Sequence, residues 1–334
     1  MIAMQLTAAA PVTDGPLRET ELPVPAPGAG EILVQVSVCG LCRTDLHVIE
    51  GELPDPALPL VPGHQVVGRV AQCGEGCARF QPGDRVGIAW LRHTCGHCEH
   101  CQSGRENLCR SSRYTGYHAD GGYAEYAVVH EDFAYAIPEC FGDAEAAPLL
   151  CAGIIGYRAL RRAAVPPAGR LALYGFGSSA HVVIQLARHR GQQVYVATRG
   201  DGHRALASEL GAEWTGDAYD LPPVPVDSAI IFAPVGAMVP VALRAVGSGG
   251  TVVSAGIHMS AIPEMSYEEC VFHEKVLTSV EANTRDDGRE LLAEAAEIPI
   301  RPRVTSFPLE AANEALRQLK LDGFDGTGVL AVGG

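Results

Sequence analysis

The sequence predicts an α/β protein with a strand-rich domain and a second domain built on a doubly wound parallel sheet. Short β-branched runs such as EILVQVSV and HQVVGRVAQC, separated by Pro/Gly turns, indicate the strand-rich domain. Strand and helix patterns then alternate in RLALYGFG, SSAHVVIQLARHRG and QQVYVATR, as parallel strands with helices on both faces require. At 334 residues, the chain is long enough for both domains.

The later elements extend this pattern. The helical segment HRALASELGAEW is followed by the strands DSAIIFA and GTVVSAG. The tail has helical patterns in DDGRELLAEAAE and EAANEALRQL, around the strand-like segments RPRVTSF and GTGVLAVGG. We therefore expect a first domain over residues 1–150, a parallel-sheet domain over 151–275, and a segment 276–334 that returns to the first domain.

Composition and charge exclude several classes of protein. The formal net charge of −14 argues against a nucleic-acid partner, because phosphate binding requires a basic face. The sequence has neither an apolar run long enough to cross a membrane nor the features of a signal peptide at its N-terminus. We expect a cytoplasmic protein, in which eleven cysteines indicate metal or redox chemistry rather than a disulfide framework.

A glycine-rich loop joins the first predicted strand of the parallel sheet to the next helix. Gly175, Gly177 and Ala180 fit the G-x-G-x-x-G/A pattern of dinucleotide-binding sites. In such sites the first glycine permits a tight turn, the second lets the backbone approach a pyrophosphate, and the third position lets the helix pack closely. An ordinary strand-to-helix loop is the alternative.

The end of the second strand bears on cofactor choice. An NAD site usually has an acid there to bind the ribose hydroxyls. This strand ends in Thr198, which can donate a hydrogen bond, and Arg199, which offers a charged fork; Arg204 lies one helical turn further on. We therefore expect NADP(H) to be favoured over NAD(H). The alternative is that these arginines are solvated and that Asp201 binds the ribose.

Residues 93–109, HTCGHCEHCQSGRENLC, contain four cysteines that predict a structural metal site. Cys95, Cys98, Cys101 and Cys109 can close a tetrahedral zinc shell and leave no position for substrate. An iron–sulfur cluster also takes four cysteines, but it does not usually have this C-x7-C spacing. Zinc is favoured, and catalysis requires another site.

Two further cysteines and a histidine can form that second site. The segments CGLCRTDLH, PGHQ and LCAG contain Cys39, Cys42, His64 and Cys151. Two thiolates and one imidazole can hold a zinc ion with an open fourth position. Each residue taken singly is more simply interpreted as a buried cysteine or a core histidine.

Six motifs in order show a resemblance to a known family. GLCRTDLH, VPGHQVVG, the GDRVGI turn, the four-cysteine segment, LLCAGIIGYRAL and GFGSSAH span nearly the whole chain. The sequence resembles the zinc-dependent alcohol dehydrogenases of the medium-chain dehydrogenase/reductase superfamily. The resemblance implies a GroES-like catalytic domain, a Rossmann dinucleotide-binding domain and two zinc ions per chain.

The resemblance also implies the ligands of the catalytic zinc. They are Cys42, His64 and Cys151, because the family's first ligand is the cysteine directly before the x-Thr-Asp step, which excludes Cys39. Asp45 then matches the carboxylate that holds the ring of His64, a partner that metal-bound histidines generally have.

Further roles follow from the same resemblance. Thr44 matches the hydroxyl that takes the alcohol proton, His47 the imidazole that passes this proton toward solvent, and Arg43 a contact to a cofactor phosphate. The ion would stabilise the alkoxide whose carbon gives hydride to the nicotinamide. One departure is Gln65, which stands where the family often has Glu.

The implied function is interconversion of a small-molecule alcohol and its aldehyde or ketone. A polyol dehydrogenase of the same superfamily is an alternative, although it typically has a carboxylate as third ligand. A catalytically silent zinc- or NADP(H)-binding regulator is another. Trp90, Ile49 and Tyr117 are candidate walls of the substrate pocket, and ordinary packing explains each equally well. The resemblance further implies a homodimer or homotetramer.

Overall fold

The computed structural model describes residues 1–298, 300–324 and 326–333. The chain forms two compact units. The first comprises Met1–Cys151, Ala282–Ala296 and the C-terminal stretch from Pro302, and the second comprises Ala152–Glu281 and Glu297–Arg301.

The strands of the described residues are two to ten residues long. In chain order they are β1 (Ile2–Leu6), β2 (Leu17–Glu21), β3 (Glu31–Gly40), β4 (Gln65–Cys73), β5 (Arg85–Ile88), β6 (Leu91–His93), β7 (Arg113–Tyr114), β8 (Tyr126–His130), β9 (Ala134–Ala136), β10 (Arg170–Tyr174), β11 (Gln193–Ala197), β12 (Trp214–Gly216), β13 (Val226–Ile231), β14 (Val246–Ser254), β15 (Val276–Ser279), β16 (Val304–Pro308) and β17 (Thr327–Ala331).

The α-helices range from one turn to more than three turns. In chain order they are α1 (Arg43–Ile49), α2 (Glu99–Gln102), α3 (Asp143–Ala146), α4 (Ala152–Ala163), α5 (Ser178–His189), α6 (Asp201–Glu209), α7 (Met238–Ala245), α8 (Tyr267–Cys270), α9 (Arg285–Glu297) and α10 (Ala312–Lys320).

The first unit is built around a sheet with the strand order β16-β17-β3-β4-β5-β9, in which β8 also pairs with β3. The central strand β3 pairs antiparallel with β4, β8 and β17. Its side chains Ile32, Val34 and Val36 are buried in the core. The sheet thus fixes the end of β3, from which the chain enters α1.

The second unit contains a parallel sheet with the order β12-β11-β10-β13-β14-β15. Numbered within this unit, the order is 3-2-1-4-5-6, the arrangement of doubly wound dinucleotide-binding sheets. Apolar runs such as LALY in β10 and AII in β13 are buried, as expected for strands covered by helices on both faces. The predicted fold class is confirmed.

The domain limits differ from the predicted ones after residue 275. Strand β15 pairs with β14 from Thr251↔Val276 to Ser254↔Ser279, so the second unit continues to Glu281. Residues Glu297–Arg301 also cluster with that unit. A short exposed strand such as KVLTS shows too little periodicity to be assigned to a sheet from sequence.

Among the described residues, no helix combines the length and the apolar character needed to cross a bilayer.

Candidate active site

The first side chains of the site lie where the chain passes from β3 into α1. Cys42 is the N-cap of α1, and its sulfur accepts a hydrogen bond from the backbone N–H of Thr44 at 3.5 Å. Asp45, at the third helical position, accepts from the backbone N–H of Cys42 at 2.8 Å. This reciprocal cap satisfies two helix donors and fixes both side chains relative to the helix.

His64 and Cys151 reach the same point from other elements. His64 lies directly before β4, and Cys151 lies between a 3₁₀ helix, Ala147–Leu150, and α4. The sulfur atoms of Cys42 and Cys151 are 3.6 Å apart, and Nε2 of His64 is 3.2 Å from the Cys151 sulfur. The structure thus brings together three side chains that are far apart in sequence.

These donors fit a tetrahedral zinc ion. With bonds of about 2.3 Å to sulfur, such an ion holds two sulfur ligands roughly 3.8 Å apart, close to the separation found here. Cys39, three residues before Cys42, lies buried in the hydrophobic core and is not a member of the donor set. Three protein donors leave a fourth position for a substrate oxygen.

Asp45 orients the histidine of this set. Its Oδ1 lies 3.0 Å from Nδ1 of His64, and both side chains are only 1% exposed. Burial would lower the pKa of His64, but the Asp45 charge and the hydrogen bonds to Asp45 and Cys42 raise it to about 10. The hydrogen bond with Cys151 holds the pKa of the Cys42 thiol well below its usual range. A bound metal would take the place of these protons.

The four cysteines of the 93–109 segment form the other donor cluster. The sulfur of Cys101 lies 3.5 Å from that of Cys98 and 3.9 Å from that of Cys95, while the Cys95 backbone N–H donates to the sulfur of Cys109. Backbone N–H groups, that of His97 first, lower the pKa of Cys95 to about 6. Four converging thiols fit a closed zinc shell.

The proton-relay candidates lie on α1. The Thr44 hydroxyl is 3.6 Å from the Cys42 sulfur, at the edge of the donor set. Nδ1 of His47 makes a short contact with the carboxylate of Glu52, which is half-exposed. Sequence reasoning missed Glu52, although its place five residues after His47, past the end of a short helix, was a usable signal.

Aromatic rings cover one side of the donor set. Trp90 meets the His64 ring edge-to-face, with centroids 4.9 Å apart, and stacks on Tyr114 and Tyr117 at 4.8 and 5.8 Å. Trp90 and Tyr117 share one apolar cluster. Ile49 instead lies fully buried in the main core of the first unit, which favours the alternative of ordinary packing.

The glycine-rich loop lies at the carboxyl end of β10 and opens α5. Gly175 has φ +89°, and a Cβ there would lie 3.0 Å from the backbone of Ala233. A Cβ on Gly177 would meet no described atom within 4 Å, so backbone at this position is open to close approach. Ala180, in the first turn of α5, is fully buried. The loop stands between β10 and β13, where the strand order reverses and doubly wound sheets bind dinucleotides.

The residues after β11, which bear on cofactor choice, make several hydrogen bonds. Arg199 is exposed, whereas Thr198 is buried and its hydroxyl donates to the Arg199 carbonyl at 3.5 Å. Arg204 donates to the Thr198 carbonyl at 3.0 Å and to Asp201 at 2.5 Å, and it lies 3.6 Å from Asp217. Arg204 therefore stabilises the loop after β11. The sequence alone does not indicate this role, because it comes from contacts made in the folded chain.

Arg43, the candidate for a cofactor phosphate, is exposed at the start of α1. Its guanidinium lies 2.6 Å from the carboxylate of Asp322, which is also about half-exposed. An exposed ion pair of this kind is weak, so Asp322 can be displaced by a stronger anion.

Two protein-family models match parts of the chain. A family model described as the alcohol dehydrogenase GroES-like domain matches residues 28–139. A second model, described as zinc-binding dehydrogenase, matches residues 179–297.

Individual proteins are similar over nearly the whole chain. The probable alcohol dehydrogenase AdhA of Mycobacterium tuberculosis is 49% identical, over 99% of this chain and 97% of that protein. The crystal structure of an NAD-dependent alcohol dehydrogenase has a TM-score of 0.91 and 26% identity, with 100% of both chains covered. The cobalt- and zinc-bound thermostable alcohol dehydrogenase of Pyrobaculum aerophilum has a TM-score of 0.88 and 25% identity, with 99% of both chains covered.

Proposed function

The chain belongs to the zinc-binding alcohol dehydrogenases of the medium-chain dehydrogenase/reductase superfamily, and we propose that it uses a zinc ion and NAD(P) to interconvert an alcohol and its aldehyde or ketone. The observation that carries this proposal is the convergence of Cys42, His64 and Cys151, with Asp45 behind the histidine. A zinc ion bound there would act as a Lewis acid that makes the hydroxyl of an alcohol easier to deprotonate.

The residues around this set have separate tasks. Asp45 holds the Nδ1–H of His64, so Nε2 faces the two sulfurs. The Thr44 hydroxyl, at the edge of the donor set, takes the alcohol proton as it gives up its own, and His47 on the same helix passes that proton on. Glu52 orients the His47 ring and leads the proton to solvent, because its carboxylate is 48% exposed. A nicotinamide cofactor, held at the loop of Gly175 and Gly177, would supply the hydride acceptor or donor.

Turnover of a panel of primary, secondary and polyhydric alcohols tests this function. Cys42→Ser should abolish turnover of every alcohol, whereas Cys140→Ser, at an exposed cysteine outside both donor clusters, should leave it unchanged. Complete lack of turnover in the zinc-loaded wild-type protein would favour a silent regulator. A strong preference for polyols would favour the hypothesis of a polyol dehydrogenase.

We propose that the second metal site is a structural zinc held by Cys95, Cys98, Cys101 and Cys109. Four thiols leave no position for a substrate, and the zinc would stabilise the polar four-cysteine segment, residues 93–109. We also keep the proposal that Trp90 and Tyr117 line the substrate pocket, since the Trp90 ring lies against His64.

NADP(H) is our proposed preferred cofactor. The support is Arg199, exposed at the end of β11 where an NAD site usually has an acid. The competing interpretation is that Asp201 binds the ribose of NAD(H), because its side chain is 99% exposed even though it pairs with Arg204. Arg199→Ala should raise KM for NADP(H) much more than KM for NAD(H), whereas Arg188→Ala on α5 should change neither. A tenfold preference of the wild-type protein for NAD(H) would contradict the proposal.

A homodimer or homotetramer remains the proposed assembly. The edge strand β15 exposes Val276 and Leu277 by 47% and 40%, and nearby Phe272 by 59%. Monomeric proteins rarely leave an apolar sheet edge uncovered. Light scattering of the wild-type protein at micromolar concentration tests this, and a monomer would contradict it. The cytoplasmic location stays a prediction from the sequence.

A further inference from the structure

The loop that carries His64 is held by a glycine-rich segment, residues 121–123. The backbone N–H of Gly121 donates to the carbonyl of Val61 at 2.7 Å, that of Gly122 to Gly63 at 3.0 Å, and that of Tyr123 to Pro62 at 3.0 Å. Three consecutive donors thus bind the three residues that precede the histidine.

Tyr123 continues this support with its side chain. The residue is fully buried, and a Cβ on Gly63 would lie 2.3 Å from its ring, so the ring lies directly against the Gly63 backbone. Its hydroxyl donates to Oδ2 of Asp45 at 3.1 Å. One side chain therefore contacts both the loop of His64 and the carboxylate that orients the His64 ring.

The carboxylate of Asp45 depends on such donors. It is almost completely buried, and it accepts from the Cys42 backbone at Oδ2, from Tyr123 at Oδ2 and from His64 at Oδ1. A buried charge is costly unless hydrogen bonds satisfy it, and each of these three donors also fixes the plane of the carboxylate. Phenylalanine in place of Tyr123 would fill the same space but would remove one donor.

We propose that Tyr123 is a positioning residue for the catalytic metal: its hydroxyl fixes Asp45, which in turn presents Nε2 of His64 to the ion. This rests on the proposed function. The residue acts through Asp45 and His64 and does not touch the metal or the substrate. Outer partners of metal-bound histidines typically change metal affinity by about 10–100-fold. Since Tyr123 lies one step further out, the lower end of this range, about tenfold, is expected.

Zinc release to a chromogenic chelator measures this directly, without substrate. Cys42→Ser first identifies which phase of zinc release belongs to the catalytic site; absence of any such phase would contradict the proposed function itself. Tyr123→Phe should then release that zinc about tenfold faster, while zinc release from the four-cysteine cluster stays unchanged. Tyr135→Phe is the matched control, because it removes another buried hydroxyl of the first unit, one that contacts Asn283.

A second variant shows whether the hydroxyl acts through the carboxylate. In an Asp45→Asn background, Tyr123→Phe should change the release rate less than twofold, because the charge that the hydroxyl stabilises is gone. Tyr123→Phe keeps the ring beside Gly63, so the variant should still fold, and its thermal unfolding is measured beside that of Tyr135→Phe. Release from Tyr123→Phe within twofold of the wild-type rate, or an undiminished effect in the Asp45→Asn background, would overturn the proposal.

Discussion

Replacing Gly63 with alanine tests how tightly the His64 loop is held. Gly63 has φ +95°, a conformation that residues with a Cβ rarely adopt. An added Cβ would lie 2.3 and 2.6 Å from two ring atoms of Tyr123 and 2.8 Å from the Cys39 sulfur. All three atoms belong to fully buried side chains, so they can move aside only by displacing other core residues.

Two costs then add. The left-handed backbone costs about 1–2 kcal/mol for a residue with a Cβ, and overpacking a dense core costs about 1–3 kcal/mol more. Gly63→Ala should therefore destabilise the first unit by about 2–5 kcal/mol. It should also speed the release of the catalytic zinc, since His64 is the next residue.

Gly76→Ala is the matched control. Gly76 has φ +79°, but its Cβ would meet no described atom within 4 Å, so only the backbone cost of about 1–2 kcal/mol applies. Denaturant unfolding can be followed by the fluorescence of Trp90 in a Trp214→Phe background, which limits the signal to the first unit. Equal losses of stability in the two alanine variants would refute the steric reasoning.

Three other substitutions test separate parts of the account. Thr44→Val keeps the shape but removes the hydroxyl, so kcat should fall by about 10²–10⁴-fold; near-normal kcat would contradict the relay. Glu52→Gln should lower kcat less than Thr44→Val does, and only at lower pH. At high pH a base from solvent can replace His47, so a pH profile of kcat checks this prediction. Glu106→Gln should destabilise the first unit at pH 7 by about 1–3 kcal/mol, because Glu106 accepts three hydrogen bonds from the Arg285 side chain. Although burial opposes it, Arg285 lowers the pKa of Glu106, so this stability is lost as pH falls below about 4 and the variants should converge there in denaturant unfolding.

The fold was predictable because its signals are local and periodic. Alternating strand and helix patterns and the turn at Gly175 predict a parallel sheet, and the parallel pairing of β10 with β11 and with β13 confirms it. The donor cysteines were recognisable from their spacing and family motifs, and the structure places the donor atoms of each set within 4.8 Å of one another. Their roles as ligands stay predictions.

The supporting contacts were not predictable in the same way. Tyr123 and Asp45 are 78 residues apart, and neither spacing nor residue type marks them as partners. Arg204 reads from sequence as a free positive charge, but its guanidinium contacts Asp201 and Asp217. Ile49 is a candidate for the pocket wall from the sequence, and in the structure it is buried in the core of the first unit. Such outcomes depend on which surfaces pack together, and a single sequence does not encode that in a local pattern.

Metal content measured together with turnover tests the central claim most directly. Elemental analysis of active wild-type protein should give two zinc ions per chain. Cys42→Ser should retain one zinc ion per chain and near-normal stability, but it should not oxidise alcohols. Cys98→Ser should instead lower the stability and the solubility of the protein. One zinc ion in fully active wild-type protein, or alcohol oxidation by Cys42→Ser at the wild-type rate, would contradict the account.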